Sequence, residues 1–263
     1  MFLDIIKAII LGIVEGVTEF LPVSSTGHLI LTGNLLSFTG ERAKVFEIFI
    51  QLGAILSVVW LYRKKLLSVI TNIGTEKANR FLGNLFLAFL PAAVVGLMTH
   101  VLIKKYLFNS ATVAMALILG GVLILVIERI VKDARIFEVD NITPLLALGV
   151  GIAQMLSLFP GVSRSAATIM GGLVIGFDRK TATEFSFFLA IPTMFAATFY
   201  DLFKGIGYLS ITDFPVFATG FIISFLSAIL VIKAFLGFVT RHNFIVFAYY
   251  RILFGILVFQ IPL

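Results

Sequence analysis

The chain alternates long apolar runs with short polar loops rich in Lys and Arg. Six runs have the length of a membrane crossing, at approximately 45–62, 81–103, 106–127, 182–200, 214–232 and 243–262. A spanning helix needs about 20 mostly apolar residues to cross roughly 30 Å of hydrocarbon. The charges inside these runs are few, chiefly Glu47, Glu184 and Arg251.

Two further apolar stretches are interrupted. Residues 8–37 are broken by Leu21-Pro22-Val23-Ser24-Ser25-Thr26-Gly27, and 144–177 by Phe159-Pro160-Gly161-Val162-Ser163-Arg164-Ser165. Each break leaves arms of about 13–16 residues, roughly 20–24 Å at 1.5 Å per residue, too short to cross. Pro blocks helix continuation, and a following Ser or Thr can cap a new helix. These stretches are expected to be re-entrant helical hairpins whose tips sit at membrane depth, where irregular backbone must be buried in protein or line a wet cavity. The alternative is one kinked span in each place.

A shift of 139 positions relates the two stretches, pairing Gly12 with Gly151, Ile13 with Ile152, Phe20 with Phe159, Val23 with Val162, Ser24 with Ser163, Ile30 with Ile169 and Gly33 with Gly172. Glu15 falls on Gln154, and the match continues at Phe46/Phe185 and Phe49/Phe188. Each half then holds one hairpin and three spans. A hairpin returns to its own side, so three crossings invert the second copy. The expected fold is an all-α integral membrane protein, one polytopic domain over 1–263. It has six spanning helices plus two re-entrant hairpins in an inverted-topology repeat, with halves at about 1–131 and 144–263.

Composition excludes the soluble alternatives. The chain is 60% hydrophobic and 13% charged, with a mean hydropathy of +1.10, against roughly 45–50% apolar and about 25% charged for soluble domains. A soluble enzyme, a disordered chain and a nucleic-acid-binding module are all ruled out. Cys is absent, so there is no disulfide framework, thiolate metal site or Cys nucleophile. The net charge of +6 bears on orientation. Arg63, Lys64, Lys65, Lys77, Arg80, Arg129, Lys132, Arg135, Arg179, Lys180, Lys233 and Arg241 fall on one side, and Lys7, Arg42, Lys44, Lys104, Lys105 and Lys204 on the other. The richer side is expected in the cytoplasm, which turns the first hairpin's mouth outward.

Ionisable groups at membrane depth are costly and mark function by default. Glu15 and Glu19, four residues apart, share one helix face and suit a divalent cation or general acid–base work. Ser24, Ser25, Thr26, Gly27 and His28 follow at a helix start, where free backbone N–H groups favour an anion. His28 fits a general acid or base, or a nucleophile toward phosphorus. Arg164, beside Ser163 and Ser165 with Thr168 one turn on, carries a fork that matches phosphate. A structural salt bridge from Arg164 to Glu15 or Glu19 is the competing reading and is compatible with the first. Glu47 is placed equally well in the site or at the interface. Arg251 is expected to anchor a helix or pair with a neighbour.

The segments Glu15–His28 and Pro160–Thr168 resemble the two signature motifs of the bacterial undecaprenyl-pyrophosphate phosphatase family of the bacitracin-resistance type. The similarity covers essentially the whole chain, including Phe46-Glu47 and Gln51-Leu52-Gly53. Ala166 departs from the pattern, standing where Gly is expected. The resemblance implies hydrolysis of undecaprenyl pyrophosphate to the monophosphate and inorganic phosphate, recycling the carrier of cell-wall precursors in the bacterial plasma membrane. It implies a divalent cation, Mg²⁺ or Ca²⁺, on Glu15 and Glu19. It further implies His28 as the catalytic histidine, Ser25 as a candidate nucleophile beside His28 or an activated water, and pyrophosphate binding by Ser24, Ser163, Arg164, Ser165 and Thr168, with Glu47 a further candidate. A polyprenyl-phosphate transporter or flippase using the same anion site is the rival. The sequence leaves the oligomeric state open, a homodimer included.

Overall fold

The computed structural model describes residues 2–131, 133–205, 207 and 210–260, and the regular elements among them are helices. They are α1 (Phe2–Thr18), α2 (Ser25–Leu35), α3 (Glu41–Leu61), α4 (Arg63–Thr71), α5 (Glu76–Tyr106), α6 (Ser110–Ile130), α7 (Pro144–Gln154), α8 (Arg164–Ile175), α9 (Arg179–Gly205), α10 (Phe214–Val239) and α11 (Ile245–Phe259). Among the described residues five helices, α3, α5, α6, α9 and α10, are long and apolar enough to cross a membrane. The chain is a multi-pass membrane protein. The sixth predicted span corresponds to α11, 15 residues long; its positions 261 and 262 lie outside the described residues, as do Lys132 and the side chains of Lys104 and Lys204.

The helices depart from expectation at two points. α1 begins at Phe2 rather than near residue 8, because Phe2, Leu3, Ile5 and Ile6 extend the apolar run and Asp4 sits in the favourable first turn. α4 was not foreseen: it is a short amphipathic helix carrying Arg63, Lys64 and Lys65. Pro91 and Pro192 lie inside α5 and α9 without ending them, as the uninterrupted runs at 81–103 and 182–200 led one to expect. Away from water, an unbroken helix is the cheapest way to pair the remaining backbone groups, so a lone Pro is tolerated.

Pro22 and Pro160 instead lie in breaks, after α1 has stopped at Thr18 and the short 3-10 turn beyond α7 at Leu158, and the backbone turns out of helical space just beyond each of them. Ser24 has φ 71° and Ser163 has φ 74°. Non-glycine residues in that region cost of order 1–3 kcal/mol and cluster at functional sites. Each is the residue that precedes a new helix, α2 or α8. The two positions are related by the 139-residue shift. Beyond each turn the chain folds back, so α2 packs on α1 and α8 on α7.

The same shift orders the packing. α1 lies along α10 and its counterpart α7 lies along α5, while α3 pairs with α9 and α6 with α11. Close approach rests on glycines at matching places: a Cβ on Gly12 would stand 2.7 Å from the Gly220 carbonyl oxygen, and one on Gly151 would stand 2.5 Å from that of Ala88. Small residues let helix backbones meet where apolar side chains gain nothing by leaving lipid. This arrangement brings the two breaks into contact with each other.

Candidate active site

The first break supplies a carboxylate and the second a guanidinium. Glu19 follows the end of α1 and Arg164 opens α8. Arg164 Nη2 donates to Glu19 Oε1 at 3.1 Å, joining residues 145 apart in sequence. Both side chains are about nine-tenths buried, at 9% and 10% exposure. Ser25 Oγ donates to the other carboxylate oxygen, Oε2, at 2.5 Å. Glu19 thus holds a hydroxyl on one oxygen and a guanidinium on the other.

Arg164 is held from behind as well. Its Nη1 donates to the Ser186 carbonyl at 3.0 Å and to Ser186 Oγ at 3.2 Å. Thr168 Oγ1 lies 2.7 Å from Ser186 Oγ and donates to the Arg164 carbonyl at 2.9 Å. Arg164 Nε, buried, has no hydrogen-bond partner among the described residues. A guanidinium fixed at one end with a spare donor is equipped to accept an anion.

These groups open on a polar cavity of about 240 Å³ between the two breaks. Glu19, Ser24, Ser25 and Thr26 line it from the first half, and Pro160, Gly161, Ser163 and Arg164 from the second. Gln51 of α3, Thr193, Met194 and Ala197 of α9, and Ser157 and Phe159 ahead of the second break also line it. Ser163 Oγ caps α8 by accepting from the Ala166 amide at 3.2 Å. Ser165 stands apart from the cavity wall and ties the breaks together, with its Oγ donating to the Leu21 carbonyl at 2.7 Å.

The remaining sequence-predicted residues are not brought to the cavity wall. Glu15 is fully buried one turn behind Glu19, and neither of its carboxylate oxygens has a partner among the described residues. Glu47 sits on α3 beside Gly33 of α2. Thr168 supports Ser186 and Arg164 instead of lining the cavity. His28 turns away: Nδ1 donates to the Ser24 carbonyl at 2.7 Å, and Nε2 therefore accepts from the Tyr250 hydroxyl at 2.6 Å. Its ring stacks on Phe254, with centroids 4.0 Å apart. Among the described residues its ring faces Tyr250 and Phe254 of α11 and no carboxylate is bonded to it.

Arg251, expected to anchor a helix or pair with a neighbour, anchors both breaks at once. It is fully buried on α11, and a Cβ on Gly120 of α6 would collide with its guanidinium. Nη1 donates to the Pro22 carbonyl at 3.2 Å, and Nη2 donates to those of Gly161 at 3.0 Å and Ala116 at 3.2 Å. One side chain thus clasps both breaks and α6. Ser186 and Tyr250 were unforeseen, as no motif marked them, and Gln51, noted within the family resemblance, had been given no role.

Among the described residues no three His, Asp or Glu side chains gather closely enough to hold a metal ion by themselves. A cation here would take Glu19 and Glu15 with oxygens from a bound phosphate, the sparse protein donor set usual for Mg²⁺. The unpartnered Glu15 carboxylate fits that role.

The family model described as bacitracin resistance protein BacA matches residues 8–257. Curated relatives are similar over nearly their whole length. An undecaprenyl-diphosphatase of Methylobacillus flagellatus is 55% identical over 259 residues, covering 97% of this chain and 96% of that protein. One of Nitrosospira multiformis is 58% identical over 255 residues, covering 97% and 93%. An undecaprenyl-diphosphatase 2 of Paramagnetospirillum magneticum is 52% identical over 250 residues, covering 95% and 96%.

Proposed function

The chain belongs to the bacitracin resistance protein BacA family, and from that premise we propose that it hydrolyses undecaprenyl pyrophosphate to undecaprenyl phosphate and inorganic phosphate. Release of the monophosphate recycles the lipid carrier for peptidoglycan synthesis and confers bacitracin resistance. The observation that supports this most is the 3.1 Å pair between Glu19 and Arg164, which sets a base and an anion receptor side by side.

In this mechanism the pyrophosphate enters the polar cavity and takes Arg164 from Glu19. The exchange replaces one anionic partner of the guanidinium by another, so the buried charge is never left bare. Ser163, Ser24 and the free amides at the start of α2 and α8 hold the remaining phosphate oxygens. Glu19, released from Arg164, accepts the Ser25 proton across their 2.5 Å hydrogen bond. Ser25 Oγ attacks the terminal phosphorus, and the bond to the bridging oxygen breaks. Undecaprenyl phosphate leaves with that electron pair, and Arg164 stabilises the charge that develops on it. Glu19 passes the Ser25 proton to the departing phosphate. Water then attacks the phosphoserine, giving its proton to the freed Glu19, and the P–Oγ bond breaks as Glu19 returns a proton to Ser25 Oγ and inorganic phosphate departs. A divalent cation bound by Glu19 and Glu15 would supply further neutralisation of the pyrophosphate charge. His28 positions the turn at Ser24 and does not touch phosphorus.

The six spans and two re-entrant hairpins of the inverted repeat are part of the same proposal. So is a cavity that opens to the extracytoplasmic side of the bacterial plasma membrane. They are supported by the shared 139-residue offset of the two turns and by the Lys and Arg bias of the loops. Purified protein in detergent, given undecaprenyl pyrophosphate and Mg²⁺ or Ca²⁺, is expected to release inorganic phosphate; no release would refute the activity. A cysteine at position 72 is expected to resist a membrane-impermeant label in intact cells, and ready labelling would reverse the orientation.

A further inference from the structure

The proposed substrate carries a hydrocarbon tail far larger than its phosphates, and the 240 Å³ polar cavity cannot hold both. A second cavity, of about 1000 Å³, adjoins the same helices. Leu56 and Val59 of α3, Leu85 and Phe89 of α5, and Ile191 and Pro192 of α9 are among its walls, and Arg63 is its one charged lining residue. Arg63 lies at one end, over the Trp60 ring at 4.5 Å.

The two cavities share walls. On α9, Thr193 and Met194 line the polar cavity while the adjoining Ile191 and Pro192 line the apolar one. On α3, Gln51 lines the first and Leu56 the second. Because α3 and α9 pack together, a molecule with its phosphates beside Arg164 has an apolar path along that helix pair. Pro192 offers no N–H to this path. From Gln51 to Arg63 the path is about 18 Å at 1.5 Å per residue. An isoprene unit advances about 5 Å with ordinary C–C bonds, so some four units fit.

We propose that this cavity binds the first isoprenoid units of the lipid pyrophosphate, making the enzyme selective for long prenyl chains over short ones. The assignment rests on the phosphatase reading above. Each unit seated there packs against fixed apolar walls while the phosphates are held at Arg164, and these summed dispersion contacts make affinity climb with chain length until the cavity is full. A second apolar cleft, near Leu123, Ile152 and Val174, measures about 300 Å³ and is too small for the same load.

Phosphate release is measured for a series from dimethylallyl to geranylgeranyl to undecaprenyl pyrophosphate, with wild type and with Val59→Trp and Leu85→Trp, each variant checked for an intact fold by its thermal melt. The expected kcat/KM rises about a hundredfold up to four units and then levels, and each Trp variant lowers the geranylgeranyl-to-dimethylallyl ratio about tenfold, mainly through KM. Independently, a geranylgeranyl-length pyrophosphate carrying a diazirine at its far end is expected to label α3, α4 or α5 near Trp60. Equal kcat/KM at all lengths, unchanged ratios in folded Trp variants, or labelling of α6, α7 or α8 would overturn the proposal while leaving the phosphatase activity in place. Absence of phosphate release from every substrate would instead remove the activity on which it rests.

Discussion

Arg164 Nη2 meets Glu19 Oε1 at 3.1 Å, across 145 residues of chain and between two breaks in different halves of the molecule. The pair is buried, so each charge depends on the other. Removing one partner of a buried pair costs about 3–5 kcal/mol because the survivor is left uncompensated. Arg164→Met and Glu19→Gln are each expected to lower thermal stability in detergent by that order. The double variant is expected to recover part of the loss. Equal, additive losses would show that the two side chains do not sense each other.

The 2.5 Å hydrogen bond from Ser25 to Glu19 supports Ser25 as the nucleophile. Rapid quenching of wild type during turnover is expected to trap an acid-stable phosphate on Ser25, and Ser25→Ala is expected to reduce kcat by about 10³-fold or more, at or beyond the range of a lost proton-transfer partner. Solvent oxygen entering the first phosphate released, with no phosphoenzyme, would point to direct attack by water.

His28 is spent on the Ser24 carbonyl and the Tyr250 hydroxyl. Tyr250→Phe removes one neutral hydrogen bond, worth about 0.5–1.5 kcal/mol, and is expected to cost stability with less than a tenfold change in kcat. No acid-labile phosphohistidine is expected in wild type. Its detection would return His28 to the reacting centre.

Arg251 reaches backbone carbonyls in both breaks. Arg251→Lys keeps the charge but replaces a planar fork by a point charge that cannot reach them together. Each abandoned buried carbonyl costs about 1–3 kcal/mol. Loss of several degrees in the melting temperature and at least tenfold in kcat is expected. Full activity of Arg251→Met would show that the breaks hold their spacing without the clasp.

Glu15 offers two carboxylate oxygens with no partner among the described residues. If it helps hold a divalent cation, chelation is expected to abolish phosphate release, and re-addition of Mg²⁺ or Ca²⁺ to restore it. Glu15→Gln is expected to raise the cation concentration for half-maximal rate about tenfold. An unchanged cation dependence would leave Glu15 no such role.

Much of this was legible in the sequence because lipid imposes one rule, that backbone polar groups be paired internally, and apolar length reveals where a helix obeys it. The breaks were legible too, since Pro22 and Pro160 precede Ser-rich segments at equivalent places in the repeat. The Arg164–Glu19 bridge was anticipated as one of two compatible readings, because a buried guanidinium must find an anion. Arg251 could not be read this way: its partners are carbonyls, which every residue owns and no motif records. The surroundings of His28 could not be read for a related reason. Proximity in sequence to two acids placed it near them, but the turn of α2 decides which neighbour its ring faces. The span through Pro192 was read as continuous from its apolar length and is so, since a proline ends a helix only where the residues beyond it leave helical space.

The claim that both breaks build one pyrophosphate site is tested most directly by phosphate release from undecaprenyl pyrophosphate with Glu19→Gln, Arg164→Met and the double variant. Each single change is expected to lower kcat/KM about 10³-fold, and the double no further than the worse single, because groups acting as a unit are not additive. Full release from either single variant, or a double loss equal to the product of the two, would contradict it.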